Sequence, residues 1–177
     1  RAKMGNGVLC NGAELLNTGD YIETNGSPVL NSYTLTAWIK SPNNSINQIL
    51  TKTSDITNAN LFDLTIYPYA GNLIVYHNKG NGGTSKYALA PNVPNNQLYF
   101  LTVTYDAQTQ TLNIYYDGKL QKTVTNFPAP LHSPNSNLYL GRRGNYYLKG
   151  SLDEVKLFRR ALSATEILNI YNNEKSG

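Results

Sequence analysis

Residues 150–167 read GSLDEVKLFRRALSATEI, which puts a β-strand, a short link and a capped helix in one run. Side chains alternate across a strand with period two. Leu152 therefore stands at the strand entrance, Asp153, Val155 and Leu157 share one face, and Glu154, Lys156 and Phe158 share the other. The face of Val155 and Leu157 is expected to be buried, which would make Asp153 an inward acid. Such a carboxylate needs a hydrogen-bond network or a metal to offset its desolvation. After the link, Ser163 and Glu166 have the S-x-x-E spacing of a capping box, so a helix is predicted over 164–172. Its Ile167, Leu168 and Tyr171 fall on one face that can pack on a sheet.

Upstream of this run the pattern is strand after strand. The predicted segments are 7–9, 21–24, 33–41, 48–52, 61–67, 72–77, 86–90, 99–107, 111–117, 119–126, 137–141 and 150–158. Alternation is clean in several of them. Leu35, Ala37 and Ile39 oppose Thr34, Thr36, Trp38 and Lys40; Leu101, Val103 and Tyr105 oppose Thr102 and Thr104; Leu112, Ile114 and Tyr116 oppose Asn113 and Tyr115. Turn chemistry agrees: Asp117–Gly118 and Gly71–Asn72 are hairpin signals. Residues 78–85, NKGNGGTS, read as a flexible polar loop, and Pro128, Pro130 and Pro134 exclude a central strand over 126–137. No internal repeat and no linker divides the chain, so residues 1–177 are expected to form one domain. A dozen strands and one terminal helix predict an all-β fold, a two-sheet antiparallel sandwich.

The composition fits short strands and many turns, with 14 Tyr against one Trp, one Met and one Cys. A net charge of +4 with only two tight basic pairs, Arg142–Arg143 and Arg159–Arg160, describes a solvated surface and not a nucleic-acid patch. Cys10 stands alone, so it forms no intrachain disulfide, and it is expected in the core. No apolar run is long enough for membrane insertion as a helix. The chain opens at Arg1 without a signal peptide, as a piece cut from a longer exported protein would.

Several segments in order resemble the laminin G-like, concanavalin A-like jelly-roll superfamily, in the form found as modules of large secreted bacterial proteins. Residues 3–12 resemble its opening strand, with Cys10-Asn11-Gly12 where "F-D-G" is usual, and Gly19-Asp20-Tyr21-Ile22-Glu23 is similar to "D-D-Y-V-E". Residues 33–40, YTLTAWIK, resemble "F-T-x-x-A-W-V-K"; residues 100–106 and 112–119 resemble "H-x-A-x-T-Y-D" and "L-x-x-Y-V-D-G-K". Residues 138–141 and 150–167 complete the order, the last as G-x-Φ-D-E-V-x-Φ followed by A-L-S-x-x-E-I. Leu98-Tyr99 replaces the usual Trp-His, which changes a packing position and not a chemical one. The resemblance implies a jelly-roll sandwich and a secreted or cell-surface location, with neighbouring domains of the parent chain as partners. It does not fix a function, because this fold carries lectins, adhesion modules, spacers and enzymes.

Two constellations carry chemistry. The opening and closing strands of jelly rolls tend to be neighbours, so Asn11, Asp20 and Asp153 could meet as oxygen ligands for Ca²⁺, with backbone carbonyls completing the shell. The competing reading has Asp153 accept backbone N–H bonds at a strand start with no metal. The second constellation is aromatic: Tyr67, Tyr69, Tyr76, His77 and Tyr87 lie in one hairpin region, and Arg142, Arg143, Asn145, Tyr146 and Tyr147 lie in one loop. Glycan sites pair flat rings with such donors and acceptors. The competing reading makes these rings ordinary strand residues that cover a sheet face. Catalysis is not expected. The related glucanases need two carboxylates on one strand face in an E-x-D-x-x-E pattern, about 5 Å apart for a retaining mechanism, and that pattern is absent. The R-x-E-x-R and Q-x-H strands of jelly-roll alginate lyases are absent too. The sequence thus predicts a non-catalytic carbohydrate-binding or adhesion module with a polysaccharide or glycan partner. The second reading is a structural or protein-interaction spacer with no glycan ligand.

Overall fold

The computed structural model describes residues 8–10, 13–15, 20–24, 26, 29–42, 46–78, 86–133 and 135–176. Asn11, most of the 78–85 loop and the side chain of Cys10 lie outside the described residues. The strands are β1 (Val8–Cys10), β2 (Ala13–Leu15), β3 (Ile22–Thr24), β4 (Tyr33–Lys40), β5 (Leu50–Thr53), β6 (Leu64–Tyr69), β7 (Asn72–His77) and β8 (Lys86–Pro91). They continue with β9 (Tyr99–Asp106), β10 (Thr111–Tyr116), β11 (Lys119–Val124), β12 (Asn137–Leu140), β13 (Arg142–Arg143), β14 (Tyr146–Tyr147) and β15 (Gly150–Phe158), and the helix is α1 (Ala164–Lys175).

Two antiparallel sheets face each other, as the alternation predicts. One has seven strands in the order β1-β15-β4-β9-β10-β11, with β2 also paired to β15; the other has six in the order β3-β12-β5-β6-β7-β8. Leu35, Ala37 and Ile39 of β4, Leu101, Val103 and Tyr105 of β9, and Leu112, Ile114 and Tyr116 of β10 line the inner face of the first sheet. They meet Leu50, Leu64, Ile66, Leu73, Val75, Ala88, Ala90, Leu138 and Leu140 from the second. Burying one such aliphatic side chain contributes about 1.5–3 kcal/mol, so this layer is what holds the sheets together. The opening strands do pair with the closing one: Val8 faces Lys156 and Ala13 faces Leu152.

Asp153 departs from the predicted alternation. Leu152 pairs with core residue Ile39 and Asp153 with Trp38, but the next partners are Lys156 with Thr36, so β15 carries a bulge at Glu154–Val155. Glu154 has φ +47°, and the extra residue lets Leu152 and Val155, three apart, both point into the core. Asp153 is therefore exposed on the outer face and accepts the N–H of Glu154 at 2.7 Å. The desolvation that argued for a metal beneath it does not arise.

The helix covers the outer face of the seven-stranded sheet. Ser163 accepts the N–H of Glu166 and Glu166 reaches back to Ser163 N–H, the predicted capping box. Ile167 is fully buried with Tyr115 and Leu162, and Tyr171 lies against Trp38 and Phe100 at 5.8 Å from each ring. The outer face of the six-stranded sheet has no helix among the described residues; the short hairpin β13–β14 stands there instead.

Candidate functional site: a tyrosine and arginine face

Strand alternation puts the outer face of the six-stranded sheet together. Leu64, Ile66, Leu73, Val75, Ala88 and Ala90 point inward. Tyr67 and Tyr69 of β6, Ile74 and Tyr76 of β7, and Tyr87 and Leu89 of β8 must point outward. Tyr76 and Tyr87 are direct cross-strand partners, and their rings stack at 5.9 Å with 18° between planes. Phe62 meets Tyr76 edge-on at 5.0 Å. Tyr87 is 55% exposed, Tyr69 47% and Tyr146 41%.

The β13–β14 hairpin is fixed on this face by its glycines. Gly141 donates to Ile49 O at 3.0 Å and Gly144 donates to Ile56 O at 2.8 Å. Gly144 has φ +58°, and a Cβ there would lie 2.6 Å from Ala59 Cβ, so the chain reaches this approach only without a side chain. Arg142 pairs with Tyr147 and Arg143 with Tyr146, so the two arginines leave opposite sides of the hairpin. Their partners agree. Arg142 lies over Tyr21 at 4.9 Å and Tyr147 at 5.5 Å, on the side of β3 and β12, where Tyr21 also meets Tyr139 at 6.1 Å. Arg143 lies over Tyr67 at 4.7 Å, Phe62 at 5.4 Å and Tyr146 at 5.5 Å, on the side of β6 to β8. The hairpin thus divides the face into two troughs, each with one guanidinium among rings. Glu23, an acid on this face, accepts at Oε1 from Asn137 Nδ2 at 3.0 Å and Tyr139 OH at 2.9 Å.

The predicted residues separate accordingly. Tyr67, Tyr76, Tyr87, Arg143 and Tyr146 come together in one trough, Arg142 and Tyr147 in the other, with Asn145 exposed at the hairpin turn and Tyr69 farther along the same face. His77 does not join them. It follows Tyr76 on β7, so it points inward, fully buried. Its Nδ1–H donates to Pro128 O at 2.7 Å and its Nε2 accepts from Tyr33 OH at 2.8 Å. Burial holds its pKa down at about 4, against the Pro128 hydrogen bond, so it is neutral and structural. Phe62, Tyr21 and Tyr139 were not legible as members of the face. Phe62 precedes its strand, and Tyr21 and Tyr139 are far apart in sequence and meet only through the β3–β12 pairing.

Two groups of acids lie away from this face. Asp63 is buried with Lys52 at 2.5 Å and also accepts from Ser133 N, Ser133 Oγ and Ser136 Oγ. Burial pushes its carboxyl up, but Lys52 and Ser133 outweigh it and leave it ionised. On the other sheet a cleft of about 500 Å³ is lined by Trp38, Leu98, Asp117, Asp153, Glu154, Tyr171, Glu174 and Lys175. Its acids are engaged in structure: Glu174 accepts from Trp38 Nε1 and Lys156, Glu154 pairs with Lys156, and Asp117 accepts from Phe100 N. Among the described residues no three His, Cys, Asp or Glu side chains form a metal-binding group. Among them, too, no helix is long and apolar enough to cross a membrane.

The profile of a laminin G family, described as the concanavalin A-like lectin/glucanases superfamily, matches residues 16–168. The chain belongs to this superfamily. No curated protein matches it by sequence. Solved structures share its fold. The receptor-binding domain of botulinum neurotoxin D superposes with a TM-score of 0.69 at 16% identity, covering 98% of this chain and 46% of that one. The present superfamily member therefore spans about half the length of that domain. The CBM40 of a Ruminococcus gnavus IT-sialidase gives a TM-score of 0.68 at 16% identity, covering 92% of this chain and 97% of its own. A pentraxin from Limulus polyphemus gives 0.69 at 14%, covering 94% and 82%.

Proposed function

We propose that this chain is a non-catalytic glycan-binding module of a secreted or cell-surface protein, and that the outer face of its six-stranded sheet is the binding surface. The observation that carries this is the Tyr76–Tyr87 pair: two near-parallel rings, the outer one 55% exposed, flanked by Phe62 and Arg143. A sugar ring offers an apolar C–H face to such a platform, and polar groups elsewhere on a longer glycan reach Arg143 on the same side of the hairpin. The fold shared with a carbohydrate-binding module, also solved with α2,3-sialyllactose, supports the same class.

A glycan array tests this, with wild type compared with Tyr87→Ala and Tyr146→Ala. Each truncation removes a ring contact of about 1 kcal/mol, a loss of about fivefold in affinity. Glycan binding unchanged in both variants removes this face as the site. Absence of binding to any glycan leaves the spacer reading. Calcium at Asn11, Asp20 and Asp153 is a separate proposal; the pairing of β1 and β2 with β15 supports only its joining of the opening strands to Asp153, since Asp20 precedes β3 of the other sheet. A rise in melting temperature on adding millimolar calcium to metal-free protein supports it, and an unchanged melting curve removes it.

A further inference from the structure

We infer that the ligand of the β6–β8 trough is an anionic glycan, whose carboxylate or sulfate is seated on Arg143 while another of its sugar rings stacks on Tyr76 and Tyr87. This rests on the glycan reading above and narrows it. Arg143 is only 8% exposed, and its guanidinium is a cation with five N–H donors. A buried charge is ordinarily closed by a carboxylate and by acceptors for its five N–H groups. Arg143 has neither. Its Nε is enclosed without an acceptor, and the ion pairs of the described residues, Lys52–Asp63, Lys156–Glu154, Lys156–Glu174 and Arg160–Glu166, do not include it.

The three rings around Arg143 explain how the charge is tolerated and also why it is unsatisfied. Ring faces attract the cation, but they leave its in-plane N–H groups without acceptors. Among the described residues the Nη groups have no hydrogen-bond acceptor, and unlike Nε they are not enclosed, so they are the donors an incoming oxyanion reaches. A planar guanidinium with two parallel free donors matches a carboxylate or sulfate better than single hydroxyls. Phe62 stands between Arg143 and Tyr76, so the group on Arg143 and the ring on Tyr76–Tyr87 belong to different parts of one oligosaccharide. Arg142 differs, since its Nε donates to Gly144 O at 3.2 Å and it lies in the other trough.

The experiment is an array that carries neutral glycans beside their carboxylated and sulfated forms, probed with wild type, Arg143→Gln and Arg142→Gln. The expected result is at least a tenfold preference for anionic forms, lost in Arg143→Gln and kept in Arg142→Gln. Equal signals on neutral and anionic forms, or a preference that survives Arg143→Gln, overturn the inference and leave the glycan reading standing. Silence on every glycan overturns both. If Arg143→Gln does not fold, Arg143→Lys, which keeps the charge but lacks the two parallel donors, is probed on the same array: loss of the anionic preference supports the inference, and an undiminished preference overturns it.

Discussion

The two outer faces of this sandwich treat their cations in opposite ways. On the seven-stranded sheet, Lys156 is closed by Glu154 and Glu174, Arg160 by Glu166, and helix α1 is latched over Trp38 through Glu174. On the six-stranded sheet, Arg142 and Arg143 have rings for partners and, among the described residues, no carboxylate. The first face is finished by its own chain. The second holds exposed tyrosines and unspent donors in place, as the proposed glycan-binding surface requires.

The comparison breaks first on stability. Ile167→Ala empties a fully buried position under α1 and is expected to cost about 3 kcal/mol in urea unfolding, without changing glycan binding. Tyr87→Ala, on the open face, is expected to cost less than about 0.5 kcal/mol while weakening binding. The reverse pattern would mean that the open face is structural.

Acid tests the layer between the faces. Folded His77 stays neutral down to about pH 4, whereas in the unfolded chain it takes a proton below about pH 6.5. The unfolded state thus binds more protons across that window, and stability falls as pH falls, by roughly 3 kcal/mol at its end. His77→Gln is expected to be less stable at neutral pH but to lose this part of the slope. An identical acid slope in the variant would assign it to carboxylates.

A smaller effect sharpens the hairpin's role. Gly144→Ala forces a left-handed residue against Ala59 and is expected to cost about 2 kcal/mol, together with most glycan signal, since Arg143 and Tyr146 ride on that hairpin. Full binding in Gly144→Ala would show that the hairpin does not position the site.

The sequence made the sandwich legible because period-two alternation and the Asp117–Gly118 turn are local signals. The capping box at Ser163 and Glu166 was local too, although α1 runs on to Lys175. Asp153 misled for a local reason as well: a bulge shifts the phase by one residue, and Glu154 gives no Gly or Asn signal for its positive φ. His77 misled because it lies among tyrosines in sequence while its neighbours alternate away from it. The site was half legible. The tyrosine hairpin announces itself, but its meeting with Phe62 and with residues 142–147 is tertiary, set by Gly141 and Gly144 bonding to Ile49 and Ile56.

The most direct measurement follows tyrosine-ring, tryptophan-indole and arginine Nε–H resonances while a glycan bound on the array is titrated in. Shifts centred on Tyr76, Tyr87, Tyr146 and Arg143, with Trp38 and Tyr171 still, are the predicted outcome. Shifts gathered at Trp38 and Tyr171 beneath the helix, with the tyrosine face silent, would place recognition on the wrong side of the sandwich and contradict the account.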